Sequence, residues 1–221
     1  MSSDRAAYCD VDGTLSATQI ASPLIYFRRR ITPQPWLSLY LCGLPFRAAY
    51  WLLLDKFSRD ASNRAIYAGY GGMDAERIRA LASDCYQSYL EPRLLTEGLK
   101  RLEELKAEGV RLVLVTGSLD LLMIPLAQRL DAELIAPRLE ERDGRFTGRL
   151  TTAPMTGARK AEAVRTHAQR VGIDLQASFS FGDALGDVPM LECVGRPVVV
   201  NPGRRLAAQA TRRGWPIVRW H

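Results

Sequence analysis

The sequence predicts an α/β protein, a doubly wound and mostly parallel sheet that carries an inserted helical cap. Three observations predict it. From residue 94 onward, short apolar runs alternate with segments of helical periodicity, as repeated strand–helix units do. Ahead of that region an apolar segment at 6–10 runs into Asp10-Val11-Asp12-Gly13-Thr14, so a first strand feeds two carboxylates into a loop. Between them, 16–93 is helix-like throughout and too long for a loop. The predicted division is therefore 1–15 with 94–221 as the core and 16–93 as the cap. A chain of 221 residues is long enough for one sizeable core and a small second lobe.

The elements follow in order. On a strand over 6–10, side chains two apart share a face, so Asp10 and Asp12 project together at its end. Taken alone, the same residues suit an ordinary turn. Leucines at 99, 102 and 105 mark a helix over 96–108, stopped by Gly109. The nearly continuous apolar run 110–115 predicts a strand covered on both faces. A helix is expected over 118–130, interrupted or kinked at Pro125, then a short strand at 134–136. Asp143-Gly144 at the centre of 138–150 is a strong hairpin signal. Helices at 159–170 and 189–193, strands at 177–181 and 197–200, a basic helix over 204–213 and an edge strand at 216–220 complete the series. Ligands of such sheets bind beyond the carboxyl ends of the strands. Asp10, Thr116 and Asp183 all fall there.

Composition narrows the classes of function. The chain is 47% hydrophobic and 24% charged, ordinary for a globular protein. Its net charge of +6 suits anionic partners. No nucleic-acid motif accompanies that charge, and the arginines between 204 and 213 read as a solvated helix face, so no nucleic acid is expected. The cysteines at 9, 42, 85 and 193 form no CxxC pair, and with two histidines a zinc site is not expected. Four reduced thiols, and a start (Met1-Ser2-Ser3-Asp4-Arg5) without the apolar stretch of a secretory signal, predict a cytoplasmic protein.

Four separated pieces carry the chemistry. They are Asp10-Val11-Asp12-Gly13-Thr14, the strand end Val115-Thr116-Gly117-Ser118, Lys160 early in a helix, and Gly182-Asp183-Ala184-Leu185-Gly186-Asp187. Backbone N–H groups at a helix start such as 117–118 form a phosphate cradle; Ser118 is either a ligand there or a helix N-cap. Alone, Lys160 is an ordinary solvated helix lysine. Together, in this order and each at a strand end, the pieces resemble the haloacid dehalogenase superfamily, subfamily IB, in its phosphoserine-phosphatase-like branch. The resemblance extends to the hairpin before Lys160 and to Val200-Asn201-Pro202.

That resemblance implies a Rossmann-like core and a phosphomonoester hydrolase working through an aspartyl-phosphate. It implies Asp10 as nucleophile and Asp12 as general acid and base. Thr116, Gly117 and Lys160 would bind the phosphate. Mg²⁺ would be held by Asp10, Asp183 and the Asp12 carbonyl, a hard oxygen set. Asp187 would support either the metal shell or Lys160. The match departs from the branch at Gln19, where phosphoserine phosphatases carry a glutamate for the substrate ammonium. Gly186 and Thr116-Gly117-Ser118 depart as well. Phosphoserine is thereby disfavoured, and Gln19 remains a candidate substrate contact from the cap.

One stretch is left over. Residues 36–54 are apolar apart from Arg47, with Arg28-Arg29-Arg30 before and Lys56 and Arg59 after. Gly43, Pro45 and Arg47 break it below the length of a simple transmembrane helix. Two readings stand: a peripheral contact through 28–59 at the inner membrane surface, with a lipid-type phosphate as substrate, or the apolar core or dimer contact of the cap, with a soluble metabolite such as phosphoserine or histidinol phosphate. A non-catalytic phosphate- or lipid-binding module is the rival of another class, and the complete acid set at 10, 12, 183 and 187 argues against it.

Overall fold

Strand β1 (Ala6–Cys9) is buried along its whole length because it lies at the centre of a sheet with helices on both faces. The computed structural model describes residues 4–221; Met1–Ser3, part of the start read as lacking a signal segment, lie outside the described residues. After β1 come α1 (Ser22–Ile31), α2 (Trp36–Cys42), α3 (Leu44–Phe57), α4 (Arg59–Ala68) and α5 (Ala75–Cys85). The chain continues through α6 (Thr96–Ala107), β2 (Arg111–Val115), α7 (Asp120–Leu130), β3 (Glu133–Ile135), β4 (Leu139–Arg142) and β5 (Arg145–Leu150). It closes with α8 (Ala158–Val171), β6 (Phe179–Gly182), α9 (Val188–Leu191), β7 (Arg196–Val200), α10 (Arg204–Arg213) and β8 (Ile217–Val218).

The six-stranded sheet runs β3-β2-β1-β6-β7-β8, and every neighbouring pair is parallel. The doubly wound α/β expectation is borne out, and the sheet is wholly parallel. Beyond β3 the chain crosses to the other side of β1, so the order reverses beside the strand that carries Asp10. Open α/β sheets bind their ligands at such a reversal. Register places the ends together: Cys9 lies opposite both Leu114 and Phe181. Residues 10, 116 and 183 therefore leave the sheet at one level.

Alternation along β1 splits the core. Ala7 and Cys9 join the larger apolar cluster, which α6 and α7 complete; Ala6 and Tyr8 join the one beneath α8. The β4–β5 pair is the expected antiparallel hairpin. Its turn residues Asp143 and Gly144 take φ of 51° and 73°, the left-handed values a two-residue turn between strands requires.

The stretch between β1 and β2 is helical, as expected. Its two ends are laced to each other: Leu95 N–H donates to the Leu15 carbonyl at 2.8 Å, and Ala17 N–H to the Arg93 carbonyl at 2.9 Å. Its middle is tied to the hairpin, with Gly72 N–H on the Phe146 carbonyl at 2.8 Å and Phe146 N–H on the Met73 carbonyl at 2.9 Å.

Two expectations are corrected. Helix α7 begins at Asp120, not at 118, and runs through Pro125 to Leu130. The apolar stretch 36–54 is not a buried core: it forms α2 and α3, bent by 45° at Gly43, and neither contains a buried residue. Among the described residues, no single helix is long and apolar enough to cross a membrane.

Candidate active site

Lys160 lies in the first turn of α8, and that helix places its side chain beneath the end of β1. Its buried ammonium donates to Asp10 Oδ1 at 2.6 Å and to Asp187 Oδ1 at 2.7 Å. The other Asp187 oxygen accepts the Ala184 N–H at 3.1 Å, which closes the turn after β6. Asp187 thus pairs with Lys160 alongside Asp10, and it also belongs to the group of acids close enough to hold an ion. The second Asp10 oxygen accepts the Thr14 hydroxyl at 3.2 Å, and Thr14 also lies 3.1 Å from Asp183 Oδ1.

Asp10, Asp183 and Asp187 each offer an oxygen within 4.8 Å of the others. Burial pushes the Asp10 carboxyl well above its ordinary range; Lys160 pulls it down, and the nearby acids push it up again. Burial and the Asp187 charge raise Asp183 to about 6. For Lys160 burial disfavours the ammonium, but Asp10 and Asp187 outweigh it and keep the charge. One ammonium cannot neutralise three carboxylates. The cluster is short of positive charge and rich in hard oxygen donors, which fits a metal ion.

Asp12 is held apart from this cluster by hydroxyls. It accepts from Ser118 Oγ at 2.6 Å, Thr18 Oγ1 at 2.9 Å and, more weakly, Thr116 Oγ1 at 3.4 Å. A hydroxyl can donate or accept, so such partners serve the carboxyl group in either protonation state. Ser118 is therefore not the N-cap of α7; that position is Leu119, and the Ser118 hydroxyl is spent on Asp12. Buried Thr116 receives the Ser118 N–H at 2.9 Å. The cradle expected at a helix start is thus a loop, 116–119, ahead of the helix. Gln19 is exposed, and its side chain makes no hydrogen bond to the cluster.

The arrangement pairs a buried carboxylate fixed by a cation with a second carboxyl group held by three hydroxyls. It can form and break a covalent bond to an electrophile while moving protons at a neighbouring oxygen. A family model described as haloacid dehalogenase-like hydrolase matches residues 7–192. The chain belongs to the haloacid dehalogenase-like hydrolases.

The likeness to the phosphoserine-phosphatase-like branch is borne out as well. This hydrolase is 31% identical over 218 residues to a phosphoserine phosphatase of Mycobacterium tuberculosis, covering 96% of this chain and 70% of that one. It is 34% identical over 152 residues to the inhibition of morphological differentiation protein of Streptomyces azureus, covering 68% of this chain. The match spans about half of that relative's length (54%). A solved structure of a protein of unknown function from Bordetella pertussis shares the fold, with a TM-score of 0.81, 24% identity and 97% of each chain covered.

Several contacts of the hydrolase escaped the sequence reading. Thr18, together with Thr14 and Ser118 from the motifs already singled out, supplies the hydroxyls around the two acids. Tyr67, on α4, donates its hydroxyl to the Gly117 carbonyl, and buried Asn63, one turn earlier on the same face, lies beside Gly117. Asp60, three residues before Asn63, accepts the Thr156 hydroxyl. The one signal for this face was its polar spacing at 60, 63 and 67 on an otherwise ordinary helix. Gly13 has a legible reason: its φ is 89°, and a Cβ there would collide with the Asp183 carboxylate.

Proposed function

We propose that this hydrolase cleaves phosphomonoesters in two steps through an aspartyl-phosphate on Asp10. The observation that carries the reading is Lys160, bound at 2.6 Å to Asp10 and 2.7 Å to Asp187, with Asp183 alongside. In the first step an Asp10 oxygen attacks phosphorus, the bond to the ester oxygen breaks, and Asp12 delivers its proton to the departing alkoxide. In the second, Asp12 takes a proton from water as that water attacks the same phosphorus, and Asp10 leaves. Gly117 N–H, with the Thr116 hydroxyl beside it, receives phosphate oxygens, and Lys160 offsets their charge. Mg²⁺ held by Asp10, Asp183 and the Asp12 carbonyl would supply Lewis-acid neutralisation of the phosphate. We assign 16–93 as the cap over a core of 1–15 and 94–221, a reading supported by the lacing of residues 15 and 17 to 95 and 93.

For the substrate, the likeness to a phosphoserine phosphatase supports a soluble metabolite phosphate such as phosphoserine, with histidinol phosphate in the same class, whereas the exposed α2–α3 pair favours a lipid-type phosphate met by peripheral contact through 28–59. The test is a screen of amino-acid, sugar, nucleotide and lipid phosphomonoesters with Mg²⁺ present or chelated. Phosphate release that needs Mg²⁺ is expected from at least one class; release from none overturns the proposal.

Mg²⁺ also leaves a mark independent of turnover. Asp183 is raised from 3.8 unfolded to about 6 folded. Its contribution to stability is therefore present below about pH 4 and lost as pH rises through 6. A divalent cation replaces the missing protons. Millimolar Mg²⁺ should raise Tm by several degrees at pH 7.5 and by little at pH 5, at about 2–4 °C per kcal/mol for this size. Equal shifts at both values, by calorimetry, would contradict a metal site that includes Asp183.

A further inference from the structure

The least explained surface of the molecule is the outer side of α2 and α3. Phe46, Tyr50, Leu53 and Phe57 recur at the four-, three- and four-residue spacing of one helix face, and all are exposed, Phe46 to 79% and Phe57 to 83%. Trp36 and Leu39 extend the patch along α2, at 64% and 65%. The opposite side of α3 is occupied: Trp51 packs toward the core, and its carbonyl accepts the Ser62 hydroxyl of α4 at 2.9 Å. Large aromatic and leucine side chains left in water over so broad a face mark a contact surface.

We propose that this face docks on an anionic lipid bilayer, lying in its surface and not crossing it. Length excludes crossing by either helix. At 7 and 14 residues, α2 and α3 are roughly 10 and 20 Å long, each below the roughly 30 Å of a hydrocarbon core; together they reach that length, but they are bent by 45° and α3 packs along α4 on its other side, which keeps the pair at the surface. Charge selects the partner. Arg29, Arg30, Arg47 and Lys56 are all exposed on and beside these helices, as an anionic surface requires, while Arg59 is paired with Asp55 at 3.4 Å. A second copy docked through the same face would bring that cationic rim against itself. At the root of the pair a cavity of about 730 Å³ is lined by Arg28, Arg77 and Arg145 against Asp74 and Glu76, and buried Arg28 Nε there has no hydrogen-bond partner. An anionic headgroup suits that recess. Because α3 packs on α4, and α4 carries Asn63 and Tyr67 against the Gly117 loop, a single helix layer separates the docking face from the candidate active site.

The test sediments the 221-residue chain with vesicles of phosphatidylglycerol and phosphatidylcholine, and with phosphatidylcholine alone. Binding to the anionic vesicles is expected, weakened at least tenfold on phosphatidylcholine alone, at high salt, or by Arg29→Glu with Arg30→Glu, at roughly fivefold per surface cation. A Phe46→Ser, Tyr50→Ser, Phe57→Ser variant should lose binding yet hydrolyse a soluble aryl phosphate at the wild-type rate. Absence of binding to anionic vesicles, or undiminished binding by the triple variant, overturns the proposal. So does a wild-type dimer that the triple variant converts to monomer without any response to vesicles, which would assign the face to a second copy. Sedimentation does not read turnover, so a failed phosphatase assignment leaves this result standing, and the reverse.

Discussion

Asp10→Asn is expected to lower phosphate release by at least roughly 1000-fold while the protein stays folded. The amide keeps the shape of the carboxylate but cannot attack phosphorus. Stability should change little for a specific reason. Burial already disfavours the ionised form of Asp10, and Lys160 keeps its second partner, Asp187, at 2.7 Å. The measurement is release from the best ester of the screen, beside a melting curve. Wild-type activity in the variant would remove Asp10 from the nucleophile's place; a collapsed melting curve would mean that its charge is structural.

Lys160→Met strikes stability and chemistry together. The side chain keeps its length and loses the ammonium that lies between Asp10 and Asp187. Two buried carboxylates then face each other, and removing one partner of a buried pair costs about 3–5 kcal/mol. For this chain that is on the order of 10 °C in Tm at neutral pH without divalent ions. The loss should shrink as pH falls toward 5, because Asp10 and the neighbouring Asp183, both already raised by burial, then take up protons. Mg²⁺ should restore part of the melting temperature but not the activity, which is expected to drop at least 100-fold because Lys160 also offsets charge on the phosphate. An unchanged Tm would mean that the acids are balanced by something other than Lys160.

Much of this was legible in the chain because strand ends and helix periods are local. The alternation after residue 94 specified the parallel sheet, and Asp143-Gly144 specified the hairpin through the left-handed φ that both residues adopt. Asp10 and Asp183 were legible for the same reason, each sitting where an apolar run stops, whereas Lys160 and Asp187 stood out only through the family resemblance that the ordered pieces carry together. What escaped depends on contacts between distant segments. Ser118 reads equally as a ligand or a helix cap until Asp12, more than a hundred residues earlier, takes its hydroxyl, and the helix then starts two residues later than its pattern suggests. Tyr67 and Asn63 carry no mark on α4 until that helix is laid against Gly117. The fate of 36–54 was open because an apolar helix reads alike whether it is buried or bare. Here it is bare.

The lacing of Leu15 to Leu95 and of Ala17 to Arg93 has a consequence for how such a protein changes over time. The chain leaves the sheet and returns to it at neighbouring points, so β1 and β2 find each other whatever lies between. Segments of other lengths and shapes could be spliced in at that doorway without moving Asp10, Lys160 or Asp183. On the cap assignment proposed above, selection can thus rewrite the choice of ester in one exchangeable stretch, while Asp10, Lys160 and Asp183 stay with the framework.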